Sequence, residues 1–236
     1  MIVVKDLRVN ALGEPLFEKV NLVIRPGERI ALVGSQEGDV STLLRVLAGE
    51  EDADRGTVAS EGERTAYVPP EMFLEGGQSL GRLHHTRPTF LYFDATSTDA
   101  SDSVIQDAVC FIEGFRGGIL LAAADDRLIY AAKVSRVFEM HATTASITSY
   151  TGNYADFCIE REKSLARLTE AYEKQQKEKR RLEEYLEQKR KEAAKKNSSP
   201  EKGAVVRAKA KYLQREILDK EIPKPTLSNP SDTEQD

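Results

Sequence analysis

The chain has 236 residues, 40% hydrophobic and 31% charged, with no Trp, two cysteines and a formal net charge of −5. That length supports one sizeable core plus an appendage. Two cysteines without a CxxC pair exclude a disulfide framework, and the longest apolar run, Ile119–Ala124, is far too short to span a bilayer. The charge is uneven, at −9 over residues 1–158, +6 over 159–222 and −2 over 223–236, so an acidic body carries a basic appendage suited to a polyanion.

In chain order, the opening MIVVKDLRV reads as a strand. Its charges at Lys5, Asp6 and Arg8 rule out a signal peptide and make the cytoplasm the expected location. VNLVIRPGERIALVG and GTVAS…TAYV are further β-rich stretches broken by Pro-Gly and Gly. A helix is expected after Gly38, running through STLLRVLAG to a C-cap at Gly49. Residues 89–97, TFLYFDATS, form an apolar strand ending on an acid. Residues 101–115 read as a helix capped by Ser101 or Asp102, and 117–127 hold a second buried strand. SRVFEM and ASITSY suggest a closing hairpin. Strands alternating with helices predict an α/β layer fold around a largely parallel sheet.

Composition changes at 151–157. From Ile159 to Lys196 there is neither Pro nor Gly, and Leu165, Leu168, Tyr172, Leu182, Tyr185 and Leu186 mark one apolar stripe at helical spacing. NSSPEKG, at 197–203, breaks the pattern. A second helix with Val206, Leu213 and Ile217 predicts an antiparallel hairpin, and the polar 223–236 reads as a disordered tail. The boundaries expected are therefore 1–157, 158–222 and 223–236.

The stretch ALVGSQEGDVSTLLRVLAG, from Ala31 to Gly49, has the outline of the phosphate-binding loop G-x-x-x-x-G-K-[ST]. Gly34 opens it and Ser41 closes it, but Asp39 stands for the second glycine and Val40 for the lysine. Two adjacent histidines, His84 and His85, have no Cys or acidic partners at metal-ligand spacing, so no metal site is expected.

Taken in order, LFEKVNLVIRPGERIALVG, this loop and LLRVLAGEEDADRGTV resemble the start of an ATP-binding-cassette domain. FLYFDATSTD stands where that family has its Walker B strand and D-loop, and LAAADDR where it has the switch-histidine strand. ITSYTGNYADF followed by a charged helical hairpin is similar to the ABC-F branch, where such a segment leads from the first cassette into a linker. The resemblance covers residues 1 to about 222. It implies a P-loop NTPase-like cassette core followed by an α-helical hairpin. It also implies a cytoplasmic protein without a membrane domain that works on ribosomes, the hairpin reaching toward the tRNA sites.

Against that family pattern the functional positions are altered. Glu37, Asp39 and Val40 replace two loop glycines and the lysine, while Gly34, Gly38, Ser41 and Thr42 remain. One like-charge pair at about 4 Å costs roughly 4 kcal/mol at an effective dielectric of 20, so the new carboxylates oppose a triphosphate. Ala11 and Leu12 stand where an adenine-stacking aromatic is expected, and Pro70 replaces the Q-loop glutamine. LEGGQ at 74–78 echoes the L-S-G-G-Q signature with Glu75 for serine. The few residues between Pro70 and Leu74 leave no room for most of the helical subdomain. Asp94 persists, Ala95 replaces the general base and cannot take a proton, and Asp125 replaces the switch histidine.

The expectation is a pseudo-ATPase with no catalytic residues and a vestigial nucleotide site of Gly34, Gly38, Ser41, Thr42 and Asp94. No cofactor is expected unless residual ATP and Mg²⁺ binding survives. The basic hairpin, through Lys174, Lys177, Lys179, Arg180, Arg181, Lys189 and Arg190, is the candidate surface for the ribosome, rRNA or tRNA. The interleaved Glu residues equally fit a solvated helix held by i,i+4 pairs. A residual ATP-binding domain, or a structural partner of an intact ABC-F protein, are the alternatives.

Overall fold

The computed structural model describes residues 1–11, 14–34, 37–141 and 144–195, together with 207, 208, 210–212, 215 and 222. They divide into two compact units, Met1–Cys158 and Ile159–Leu227.

The first unit is built on two sheets. Strands β1 (Ile2–Ala11), β2 (Glu14–Ile24) and β4 (Arg55–Ser60) form an antiparallel sheet in the order β2-β1-β4. The second sheet has six strands. These are β3 (Arg29–Gly34), β5 (Thr65–Val68), β6 (Phe90–Ala95), β7 (Gly118–Ala123), β8 (Arg136–His141) and β9 (Ser146–Thr151), in the order β5-β6-β7-β3-β8-β9. All its neighbours run parallel except the closing β8–β9 pair. The expected α/β architecture with a largely parallel sheet is therefore present.

Both faces of the six-stranded sheet are covered, which explains why FLYFDA is apolar throughout. Phe90 and Tyr92 point into a core shared with the antiparallel sheet and helix α1 (Glu37–Ala48), beside Phe17, Ile24, Leu43 and Phe138. Leu91 and Phe93 point into a second core with Phe73, Leu80, Ile105, Ile112 and Leu128. Those residues come from helices α2 (Pro70–Leu74), α3 (Gly77–Thr86), α4 (Asp102–Gly114) and α5 (Asp126–Ala132). Alternation along one strand thus serves two cores.

Local signals set the helix ends. Ser101 caps α4, its hydroxyl accepting from Val104 N–H, and Gly49 (φ +81) follows α1 in the left-handed conformation favoured there. Arg29 on β3 reaches under two helices. Its guanidinium donates to the carbonyls of Ile112 and Phe115 at the end of α4 and of Ala132 at the end of α5, and burial pulls its pKa below the ordinary arginine value.

The long helix α6 (Tyr154–Lys195) starts inside the first unit. Asn153 caps it, accepting from Asp156 N–H at 2.9 Å and donating to Asp156 Oδ2 at 2.8 Å. Tyr154 packs edge-on against Tyr130 and stacks with Phe157, and its hydroxyl donates to Asp126 Oδ1 at 3.0 Å.

In the second unit α6 continues to Lys195. Its half-covered stripe runs through Leu165, Thr169, Tyr172, Gln175, Lys179, Leu182 and Leu186. Leu168, expected on that stripe, is 49% exposed instead. It lies one position from Thr169, and the 3.6-residue period places Thr169 on the covered line. Residues 207, 208 and 210–212 are helical, and Tyr212 Oη donates to Glu178 Oε1 at 3.4 Å, while Ile222 N–H donates to Gln175 Oε1 at 2.8 Å. The 197–203 break, the positions Val206, Leu213 and Ile217, and the 223–236 tail lie outside the described residues.

Candidate functional site

The phosphate-loop outline lies between β3 and α1, at the C-terminal edge of the parallel sheet, where doubly wound folds place their ligands. Val40, at the lysine position, does not project into the loop. Its side chain is buried at 4% exposure within the core. A Cβ built on Gly34 would stand 2.8 Å from Val40 Cγ2 and 3.3 Å from Met140 Cβ. The aliphatic side chain is thus packed against the backbone that opens the loop. Asp39 is half-buried, and burial raises its carboxyl above the usual carboxylate range. A cavity lined by Phe17, Gly34, Asp39, Met140 and His141 among others measures about 10 Å³, room for one water. Gly38 lies in the first turn of α1, and the Glu37 side chain lies outside the described residues.

Ser41 and Asp94 are brought together through a residue that the sequence reading passed over. Asp94 ends β6 fully buried. Thr96 Oγ1 donates to Asp94 Oδ1 at 2.8 Å, Thr96 N–H reaches the same oxygen at 3.2 Å, and Tyr67 Oη donates to Oδ2 at 3.3 Å. Ser41 Oγ lies 3.1 Å from Thr96 Oγ1. A chain of hydroxyls therefore links Ser41, Thr96, Asp94 and Tyr67. Burial, and next the Asp94 carboxylate, push the Tyr67 hydroxyl well above the usual phenol range. Thr42 accepts instead from Arg45 Nη2 at 3.2 Å, and Arg45 pairs with Glu51 at 3.2 Å.

The other family positions have structural partners. Ala95 is buried at the end of β6. Asp125 caps α5, its Oδ1 accepting from Arg127 N–H at 2.8 Å, and Arg127 bridges on to Asp102 Oδ1 at 2.9 Å. The Arg127 hydrogen bonds hold the Asp125 carboxyl below the usual range. Pro70 opens α2, and only Glu75 and Gly76 separate α2 from α3. Ser79, just after LEGGQ, donates to Glu75 within it, and Gly77 N–H at the start of α3 donates to Asp107 Oδ2 at 3.1 Å. The helix terminus that carries the signature glycines thus already holds a carboxylate from α4. His85 is exposed, and among the described residues no cluster of three potential metal ligands occurs.

On α6 the basic candidates separate. Lys174, Lys177, Arg180 and Arg181 are exposed, with Lys174, Lys177 and Arg181 on one face at i, i+3 and i+7. Lys174 pairs with Glu170 at 2.7 Å. Lys179 lies half-buried on the covered stripe, and the side chains of Lys189 and Arg190 lie outside the described residues. Among the described residues no helix is long and apolar enough to cross a membrane.

Comparison with known proteins agrees with the α/β cassette fold. Residues 140–226 match a family model described as ABC transporter. The probable ATP-binding protein YbiT of Escherichia coli O157:H7 is 23% identical over 194 aligned positions, covering 61% of this chain and 36% of the relative. The ATP-binding protein Uup of Caulobacter vibrioides is 37% identical over 78 residues, covering 32% of this chain and 13% of Uup. The chain thus spans about a third or less of these curated relatives. Among solved structures, a nucleotide-free ATP-binding cassette from an ABC transporter aligns with TM-score 0.53 at 13% identity, over 65% of this chain and 92% of that one. A dimeric cassette solved with ADP and Pi aligns with TM-score 0.51 at 12% identity, over 64% and 98% of the two chains.

Proposed function

We propose that this chain, similar to ATP-binding-cassette proteins, works without nucleotide, as an ABC-F-like binding protein whose basic helix contacts ribosomal or other RNA. The observation that carries the first half is Val40. Its side chain is buried in the core rather than offered to a triphosphate, so the position of the lysine supplies no cation. The residues present do not fit a magnesium nucleotide. Asp39 adds repulsion, and the oxygens of Ser41 and Asp94 are already engaged with Thr96 and Tyr67. No hydrolytic step is therefore assigned to this site. Absence of most of the helical subdomain is supported by the direct α2–α3 junction, and by a YbiT alignment longer than the stretch of this chain that it covers.

The RNA half rests on the exposed Lys174, Lys177, Arg180 and Arg181. Surface ion pairs such as Lys174–Glu170 are weak, so phosphates can exchange for Glu170. Aromatic residues are sparse on this helix, which favours backbone contact over base reading. ABC-F membership is inferred from the Tyr150–Tyr154 segment that leads into α6, and the match over 140–226 to a model described as ABC transporter supports the coarser assignment.

Two measurements test the reading. Titration calorimetry with Mg²⁺·ATP is expected to show no saturable binding, and Val40→Lys is expected to lose stability without gaining affinity. Its cost is about 1.5–3 kcal/mol from the lost valine burial alone. Saturable ATP binding would refute the nucleotide-independent half. Co-sedimentation with ribosomes should be unaffected by ATP and fall with salt, with a log–log slope of roughly −3 for four neutralised phosphates on single-stranded RNA. Unchanged pelleting after charge reversal of Lys174, Lys177, Arg180 and Arg181 would remove the RNA half. Pelleting absent in every condition, with a cassette protein captured instead, would favour a protein partner.

A further inference from the structure

A second hollow lies at the opposite end of the sheet. Pro88 stands six residues before Asp94 along the β6 segment, about 20 Å at strand rise, so this hollow is apart from the loop just described. It measures about 360 Å³, within the range of small-molecule sites. Its floor is apolar, made by Leu83 of α3 and by Phe111 and Phe115, whose rings stack with centroids 6.2 Å apart and planes 17° from parallel. Its rim carries Arg87, Arg116 and Cys110, all exposed. Among the described residues neither guanidinium enters an ion pair.

The walls are fixed by bonds that need no ligand. Arg87 ends α3 in the left-handed conformation (φ 45). Its N–H donates to Leu83 O at 3.2 Å, and its carbonyl accepts from Arg64 Nε at 2.9 Å. The Phe115 carbonyl is held by Arg29. Gly117 also lines the hollow. A Cβ there would stand 2.6 Å from Phe115 Cζ and 2.4 Å from Thr89 O, so any side chain would displace the ring that forms the floor.

An apolar floor beneath two unpaired guanidiniums selects a molecule with an apolar body and an anionic head. A cation is repelled at the rim, and a fully polar anion gains nothing from the floor. We propose that this hollow binds a small amphipathic carboxylate, with its apolar part on Leu83, Phe111 and Phe115 and its head on Arg87 and Arg116. This site is independent of whether the phosphate loop takes nucleotide.

Cys110 on the rim is a reporter. Its alkylation by iodoacetamide in the full chain is followed by peptide mapping, which separates it from Cys158. The probes are decanoate below its micelle concentration and decyltrimethylammonium at the same concentration. Decanoate is expected to slow Cys110 alkylation saturably and the cation to leave it unchanged. In the double variant Arg87→Asn, Arg116→Gln, apparent decanoate affinity should drop about tenfold or more, since two hydrogen bonds to a charged head are lost. Asn tolerates left-handed backbone, so α3 keeps its cap. Equal slowing by both amphiphiles, no slowing at millimolar decanoate, or undiminished protection in the folded double variant would each overturn the proposal.

Discussion

Thr96→Val removes one hydroxyl from the link between Ser41 and Asp94 and leaves the shape almost unchanged. Asp94 is fully buried, so its lost partner cannot be replaced by bulk water. It keeps the backbone N–H of residue 96 at 3.2 Å and the Tyr67 hydroxyl at 3.3 Å. What disappears is the 2.8 Å bond to the carboxylate and the 3.1 Å contact with Ser41. A hydrogen bond to a charged group is worth about 1.5–3 kcal/mol and a neutral one about 0.5–1.5 kcal/mol, so the loss should total roughly 2–4 kcal/mol. Hydrogen exchange read by mass spectrometry suits this chain, because the amides of β6 and α1 report the first unit without interference from α6. Protection there should fall by roughly 30- to 700-fold. Thr96→Ser, which restores the hydroxyl, should recover most of it. Protection unchanged within about twofold would mean that the hydroxyl chain contributes little. The account of Ser41 and Asp94 as already satisfied would then fail.

Three further outcomes follow from the site. Asp39→Asn should raise the melting temperature at pH 7, because burial lifts the folded-state pKa and so penalises the ionised carboxylate. That advantage should shrink as pH falls through the carboxylate range and vanish once the carboxyl is protonated in both states. Asp125→Ala should cost about 1 kcal/mol at neutral pH as a lost helix cap. The Asp125 folded-state pKa is depressed, so the deficit should narrow as pH drops below about 4 and close once pH has fallen through the depressed folded-state value, read from urea midpoints across that range. Tyr154→Phe should cost about 1 kcal/mol through the lost bond to Asp126, seen as faster exchange confined to the first turns of α6; exchange unchanged there would contradict the tethering of that helix.

Much of this was legible in residue order. FLYFDA announced a strand buried on both faces, Ser101 announced the start of α4, and the two apolar runs after Lys133 announced the β8–β9 hairpin. Helix α5 was missed because DRLIYAA is only seven residues long, too short for a helical period to show. Helix α2 was missed for the same reason. GTVAS and TAYV read alike, yet β4 joins the antiparallel sheet and β5 the edge of the parallel one, a choice made by distant partners. At the site, the loss of the lysine was readable, but not that Val40 turns into the core. Tyr67 and Thr96 carried no motif, and their role depends on β5 and β6 lying side by side in register, Val68 opposite Phe93. The sequence reading treated Asp125 only as a missing histidine, whereas the fold uses it as a cap.

Arg29 has a mechanical meaning beyond its hydrogen bonds. One planar guanidinium, rooted on a central strand, holds carbonyls at the ends of both α4 and α5. Neither helix can slide along the sheet without stretching bonds to the same group, and a lysine could not span these acceptors with a single ammonium. Shear is thereby removed as a way for this face to move, so any displacement must carry β3, α4 and α5 together as one block.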